Sequence, residues 1–234
     1  NCNFDDFIYG ILIYNTTNVI IDNNTFQTSG ISSIRIHGRD EATDGGQIII
    51  RYNTFNGSQE PYWVQTDVKN NAEENDAIST EDLRESMIIY NNTFRWQAGV
   101  VSMINDDYNE TPNSEIYNNL VYNNTGSAFE IENFCYNSSW HNNKIYDCNY
   151  AGVSFAPANA LQSPTPCQFN YNIISCDGTY YETTYGTSVN AYAIKGQSRV
   201  EGANNASNWN ITHNTFVAEG RALNTMAVTT GGTT

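Results

Sequence analysis

Positive charge is scarce in this chain of 234 residues: ten Lys and Arg stand against 25 Asp and Glu, which gives a net charge of −15. A chain this acidic is not expected to bind nucleic acid or an anionic membrane surface, because both repel it. Apolar runs of about 18 residues, the length that spans a bilayer, do not occur either. Insertion into a membrane is therefore not expected.

The sequence also lacks the three- and four-residue spacing of apolar residues that is typical of amphipathic helices. It contains instead a repeated phrase, clearest as VIIDNNTF at residues 19–26 and MIIYNNTF at residues 87–94. One Asn is common to seven copies, at intervals of 29, 39, 27, 24, 29 and 42 residues. The shared residues are Asn24, Asn53, Asn92, Asn119, Asn143, Asn172 and Asn214. Repeats of roughly 20 to 50 residues indicate a solenoid, a propeller or an array.

Apolar residues flank each shared Asn at two fixed places, as Ile89 and Phe94 flank Asn92. A second short strand follows about ten residues later, for example at residues 34–37. Coils of 24 to 29 residues are too short for the four strands of a propeller blade. The pattern therefore predicts an all-β fold: a single-stranded right-handed parallel β-helix of about eight coils. Each Asn is expected to be buried at a bend and stacked on the Asn of the next coil.

Repeats of this kind resemble the right-handed β-helix repeats of the pectin-lyase-like superfamily, with its asparagine ladder. The resemblance covers nearly the whole chain, and we assign residues 1–228 to one β-helix domain. Residues 229–234 are expected to be a linker or tail within a longer protein. The resemblance implies the fold but no single activity, because this fold carries lyases, hydrolases, adhesins and structural proteins alike.

For the enzymes of this superfamily, the resemblance implies a site on the outward face of the strand at residues 34–37 and its stacked partners. The outward residues there are Arg35, His37, Ser102, Glu130, Glu132 and Ser154. Arg35 and Glu130 are expected to lie three coils apart, about 14 Å, which is too far to share one proton-transfer site. The GHG and RIK motifs of polygalacturonases, with their paired Asp, are missing.

One column of polar residues is predicted at the end of this strand. His37, Asp67, Asp106 and Glu132 stand 13 or 14 residues after the shared Asn on four consecutive coils. Carboxylates about 5 Å apart at the last three positions would suit Ca²⁺, and the same column is the fallback for a catalytic acid and nucleophile. The alternative is a solvated edge of an acidic protein. Calcium is the one cofactor that the sequence indicates, and the fold requires none.

Five insertions follow the second strand of their coils, so they are expected to project from one edge and to form a binding surface. The longest covers residues 66–86 and contains seven acidic residues, which is typical of a solvated loop. Within it, DAISTEDLRES at residues 76–86 could form a short helical turn capped by Ser79 or Thr80. The second strand of this coil is expected earlier, at residues 62–65.

Asn is abundant, with 35 residues, and nine N-x-S/T sequons occur. They begin at Asn15, Asn23, Asn56, Asn91, Asn109, Asn123, Asn137, Asn205 and Asn210. Asn23 and Asn91 lie one residue before a shared Asn and are expected to point outward. We expect glycans on at least some of the nine, and on these two in particular; the alternative is a chain that is merely rich in Asn.

Five Cys favour an oxidising compartment. Cys148 and Cys176 lie at nearly the same place in consecutive coils, so they are expected to stack one rung apart and to form a disulfide. Cys135 and Cys167 are expected to pair likewise, which leaves Cys2 over. The local alternative joins Cys135 to Cys148 and Cys167 to Cys176, and buried free thiols are the remaining interpretation.

The leading hypothesis is an extracellular or cell-surface glycoprotein module with a structural, adhesive or filament-building role. Its partners would be carbohydrate, neighbouring surface protein chains or further copies of itself. The alternative is a carbohydrate-active enzyme, a polysaccharide lyase or glycoside hydrolase acting on a cell-surface or plant-type polysaccharide. The lack of a compact acid/base set favours the first hypothesis, and insertions gathered on one edge keep the second open.

Overall fold

The computed structural model describes residues 1–14, 16, 18–37, 46–59, 76–81, 86–104, 111–132, 135–156, 167–177, 179, 183, 191–197, 209–219 and 222–229. These residues form 23 β-strands. Each pair of neighbouring strands runs parallel, and successive strands of one sheet belong to successive repeats. The predicted all-β parallel β-helix is confirmed.

Two large sheets build the solenoid. A seven-stranded sheet contains β2 (Val19–Asp22), β4 (Gln47–Arg51), β7 (Ser86–Tyr90), β11 (Glu115–Tyr117), β15 (Ser139–His141), β18 (Cys167–Asn170) and β21 (Trp209–Thr212). The other sheet has 14 strands and begins with the long strands β1 (Asn3–Tyr14) and β3 (Thr25–His37), which run through both of its arms.

The first arm continues from β3 through β5 (Thr54–Asn56), β8 (Thr93–Arg95), β12 (Leu120–Tyr122), β16 (Lys144–Cys148), β19 (Ile173–Asp177) and β22 (Thr215–Glu219). The second arm continues through β6 (Asp76–Glu81), β9 (Gly99–Ile104), β13 (Ser127–Glu132), β17 (Ala151–Ala156), β20 (Ala191–Gln197) and β23 (Ala222–Thr229). A small pair is formed by β10 (Thr111–Pro112) and β14 (Cys135–Tyr136). Each coil thus passes through the seven-stranded sheet, the first arm and the second arm in turn.

Alternating apolar residues bury one face of these strands, as they do in β4 and β7. The apolar residue two places after each shared Asn joins a stack along the interior. Phe4, Phe26, Phe55 and Phe94 stack with ring centroids 4.8, 4.8 and 4.7 Å apart. The rung spacing of the sheet therefore also sets the spacing of the aromatic core.

The seven shared Asn form a continuous hydrogen-bonded row, which we call the Asn ladder. The backbone N–H and Nδ2 of Asn92 donate to Oδ1 of Asn119 at 3.0 and 3.1 Å, and Nδ2 also donates to the carbonyl of Ile50 at 2.9 Å. Links to the next Asn recur from Asn24 through to Asn214. The five inner members are buried, so each bend of the backbone is satisfied without water.

The residue before each ladder Asn has a left-handed backbone. This position holds Asn23, Tyr52, Asn91, Asn118, Asn142, Tyr171 and His213, with φ between 53° and 62°. Asn adopts this conformation more readily than other non-glycine residues. The corner of each of the five inner coils therefore combines one exposed left-handed residue with one buried ladder residue.

Residues 76–81 are a strand, and the prediction of a solvated loop or helical turn there is wrong. β6 lies between β3 and β9, where Ile78 pairs with Ile34 and Val101. Ser79 and Thr80, expected as helix caps, are both buried in this strand. Burial of Ile78 in the core outweighs the helix preference of the surrounding sequence. The earlier strand predicted at residues 62–65 lies outside the described residues.

Candidate functional site

The outer row of the second arm takes one residue from each of six neighbouring strands. We define it as Arg35, Ser79, Ser102, Glu130, Ser154 and Lys195. The register confirms that Arg35 and Glu130 lie three rungs apart. At the far end of the row, Lys195 Nζ donates to the hydroxyl of Tyr150 and lies 4.6 Å from the centroid of that ring.

Half of this row, its three serines, is closed to solvent. Ser79, Ser102 and Ser154 expose only 1%, 2% and 4% of their surface. Their chain neighbours, such as Val101 and Val153, are buried in the core on the opposite face. The second arm is thus covered on both faces at these serines, whereas β4 and β7 keep partly exposed outer residues. A polymer could contact these serines directly only if the groups that shield them from solvent moved away.

A cluster of polar groups lies at the end of β3 and β6. Arg35 Nη2 donates to Glu81 Oε2 at 2.6 Å, and His37 Nε2 lies 2.7 Å from the same oxygen. Arg35 Nη1 also donates to Ser79 Oγ at 3.2 Å, and that hydroxyl is 2.7 Å from the hydroxyl of Ser32. Side-chain exposure rises outward through this ionic cluster, from 12% for Arg35 to 29% for Glu81 and 36% for His37.

The ionic cluster has two chemical uses. Because Glu81 holds the imidazole through Nε2, the other ring nitrogen of His37 is left to exchange a proton with a bound molecule. Arg35 neutralises the carboxylate and fixes its position, as charge-assisted hydrogen bonds do. The same contacts also clamp two strands that are 46 residues apart in sequence at Arg35 and Glu81. Tyr14 lies beside this edge, with its ring 5.6 Å from that of His37.

The predicted column of His37, Asp67, Asp106 and Glu132 has a different composition in the sheet. Glu81, not Asp67, pairs with His37, and Ile104 pairs with Glu81 in the following strand. Asp67 and Asp106 lie outside the described residues, while Glu132 ends β13 opposite Ala156. Calcium binding by these carboxylates stays a prediction. Within the described ranges, no group of three or more metal-ligating side chains occurs.

Glu81 was missed because its strand was interpreted as part of an insertion. The signal that could have found it is the likeness of ISTE at residues 78–81 to IRIH at residues 34–37. Both segments begin with a core Ile and end with a polar residue at the solvent edge. The acidic residues around ISTE obscured this pattern.

The outer face of the seven-stranded sheet has a second ordered row. Arg51 donates to the hydroxyl of Tyr90 at 2.9 Å and to Asp22 at 3.2 Å, and these bonds raise the pKa of Arg51. The ring of Tyr90 stacks on Tyr117 at 5.0 Å, and Tyr117 stacks on His141 at 5.1 Å. Burial raises the pKa of Tyr117 above its ordinary value. Since the ring faces cover one another, they offer no flat platform for a sugar ring.

The sequons occupy different environments. Asn23 and Asn91 are exposed, at the left-handed corner position with φ of 62° and 54°. Asn137 and Asn210 are exposed as well, while Asn56 and Asn123 are half-buried. The remaining sequons, at Asn15, Asn109 and Asn205, lie outside the described residues. Accessibility therefore permits glycans at Asn23 and Asn91 and equally at Asn137 and Asn210.

The cysteines are free thiols where the structure describes them. Cys148 and Cys176 are paired in register across β16 and β19, as the sequence predicted, and both are buried. Cys167 is buried opposite Trp209, and Cys2 is exposed. The backbone of Cys135 lies in β14, opposite Thr111. The predicted disulfides remain predictions.

No protein-family model matches this chain, and no curated protein matches it. None of the described segments forms a helix with the length and apolarity that crossing a membrane requires.

Proposed function

We propose that this chain is a structural module related to the pectin-lyase-like superfamily, an extracellular glycosylated β-helix that serves adhesion or surface assembly. The observation that carries the proposal is the closure of the outer row at Ser79, Ser102 and Ser154. In the enzymes that the repeats resemble, the corresponding face receives the polysaccharide. A face that is closed at these three positions supports a scaffold role instead.

The interior of the solenoid supports the same role. The Asn ladder and the Phe stack repeat one set of contacts from coil to coil, so neighbouring coils stabilise one another. At about 4.8 Å per rung, eight coils give a rod of roughly 35 to 40 Å. Exposed Asn23 and Asn91 are compatible with glycans on its surface.

Two measurements on purified protein test this function. Light scattering over a range of concentrations reports self-association, and immobilised acidic and neutral glycans report adhesion. We expect concentration-dependent assembly or glycan binding without the release of new reducing ends or unsaturated products. Depolymerisation of any glycan in the panel would overturn the structural assignment.

The ionic cluster favours a second candidate, a carbohydrate-active enzyme in which His37 exchanges the proton and Glu81 orients it. The test compares Glu81→Gln with the matched control Glu130→Gln, which changes a carboxylate in the outer row away from the cluster. An enzyme would lose on the order of 100-fold or more in rate through the first change alone. Equal rates, with both variants folded, would exclude this mechanism.

A further inference from the structure

We propose that Cys148 and Cys176 form a disulfide that joins two consecutive coils, and that this bond forms while the chain folds. The two residues are paired partners in the parallel ladder of β16 and β19. Paired positions in neighbouring strands are about 5 Å apart, inside the Cα separation of roughly 4.4 to 6.8 Å that a disulfide requires. The Cα separation expected for this pair therefore suits the bond.

A β-bulge creates this pairing. Ile145 pairs with Ile174, but the register shifts before Cys148 pairs with Cys176. Asp147 occupies the extra position, with a left-handed φ of 53°. Without the extra residue, Asp147 would face Cys176 and no thiol pair would exist. Trp96 and Asn123 are left-handed at the same place in earlier coils, four residues after the ladder Asn, so Asp147 continues a repeated bend that Cys176 does not share.

Because both thiols are buried in the folded protein, the bond is expected to form before the two coils pack together. Both side chains are 0% exposed, and Cys148 Sγ donates to the carbonyl of Gly126 at 3.7 Å. Burial also raises the pKa of the Cys148 thiol well above its ordinary value, and Cys176 beside it adds to the effect. Since the thiolate is the nucleophile, the closed fold is expected to react slowly with any oxidant in solution.

The oxidant is a small disulfide such as oxidised glutathione. One cysteine thiolate attacks it, forms a mixed disulfide and releases one molecule of the small thiol. The second cysteine thiolate then attacks the protein sulfur and releases the other small thiol. The cysteines lose two electrons and two protons, and the small disulfide gains both as two thiols. Both steps require accessible sulfur atoms, which the chain offers only before the two coils have closed.

Two other cysteines provide internal controls. Cys167 is also buried, and its partner in the next strand is Trp209, so it should not bridge to Cys148 or Cys176. Cys2 is exposed, and Cys2→Ser removes the thiol that would otherwise link two molecules. The Cys2→Ser protein is therefore the background for the experiment.

The experiment compares two orders of folding and oxidation. Protein unfolded and reduced, then refolded with reduced and oxidised glutathione, is alkylated and mapped without reduction. We expect a peptide linked through Cys148 and Cys176, absent from Cys176→Ala, and a rise in Tm of about 5 to 10 °C. Reduced protein that is already folded should stay a dithiol in the same buffer for many times the refolding period.

Three outcomes would overturn the proposal. After oxidising refolding, a bridge from Cys135 or Cys167 to either member of the pair would disprove the pairing. Complete alkylation of Cys148 and Cys176 after refolding would disprove the bond itself. Equally fast oxidation of the folded and unfolded protein would disprove the order of events. Because the mapping is done on the Cys2→Ser background, these results do not depend on the folding of the Cys176 variant.

Discussion

Asn53 and Asn92 are 39 residues apart in sequence, yet Nδ2 and the backbone N–H of Asn53 both donate to Oδ1 of Asn92, at 3.1 and 2.9 Å. One carboxamide oxygen thus serves two donors of the preceding coil, while its own Nδ2 serves the next coil. The side chain takes the place of the water molecules that would bond these backbone groups at an exposed bend. Loss of one ladder residue should therefore affect both of its neighbours.

We expect Asn92→Leu to lower the free energy of unfolding by about 3 to 5 kcal/mol, because the N–H of Asn53 and the carbonyl of Ile50 stay buried without their partners. Asn214→Leu is the matched variant at the last ladder position, which is only half-buried. Water can replace its bonds, so the loss should be clearly smaller. Urea unfolding measures both, and equal losses would contradict a ladder of coupled bends.

Phe55 is the second probe of the interior, since its ring lies 4.8 Å from Phe26 and 4.7 Å from Phe94. Phe55→Ala should cost about 3 to 5 kcal/mol, because the fixed rung spacing prevents the two neighbours from filling the cavity. Ile20→Ala removes an exposed apolar side chain and should change stability by less than about 1 kcal/mol. Similar costs at the two sites would show that the Phe stack is not a core.

Glycans are expected on Asn23 and Asn91 when the chain is secreted from a eukaryotic cell. Intact mass before and after enzymatic removal of N-glycans should differ, and Asn23→Gln and Asn91→Gln should each remove one glycan. Asn118→Gln is the control, because Asn118 is an exposed corner residue without a sequon. An unchanged mass for Asn91→Gln would exclude modification at that corner.

Alkaline stability should depend on Tyr117. Burial first, and then neighbouring Tyr90, raise the pKa of Tyr117 above 10.0, so the folded state holds the phenolic proton more tightly than the unfolded state. This contribution to stability is complete below the unfolded pKa and is lost as pH rises through the folded pKa. Tyr117→Phe should therefore lose less stability between about pH 9 and 11 than the parent protein. Parallel curves of urea midpoint against pH would reject this role.

The Asn ladder could be predicted because each coil requires an amide side chain at the same corner to bond the next coil. A fixed polar residue between fixed apolar neighbours is visible in sequence whatever lies between the copies. The column at His37 could not be predicted by counting from the shared Asn. Counting assumes that the second strand begins at the same distance from the shared Asn in every coil. In the third coil the insertion moves this strand to a later position, so Glu81 takes the place expected for Asp67.

The pairing of the two cysteines shows the same limit of counting residues from the shared Asn. Cys148 and Cys176 stand at offsets that differ by one residue, and the bulge at Asp147 absorbs the difference.

The adjacent Asn pairs have a geometric cause as well. A left-handed corner followed by a ladder position and the start of a strand favours Asn-Asn-Thr, as at Asn23 and Asn91. The corner thus generates sequons whether or not a glycan is attached.

The Asn ladder also makes the inner coils interchangeable parts. Asn92, Asn119 and Asn143 use one set of donors and acceptors toward the coil on either side. Removing residues 93–119 would take out one whole coil and leave Asn92 in the place where it can meet Asn143. Duplication or loss of such a unit changes the copy number of coils without a new core, which gives this fold a simple route to vary its length in evolution.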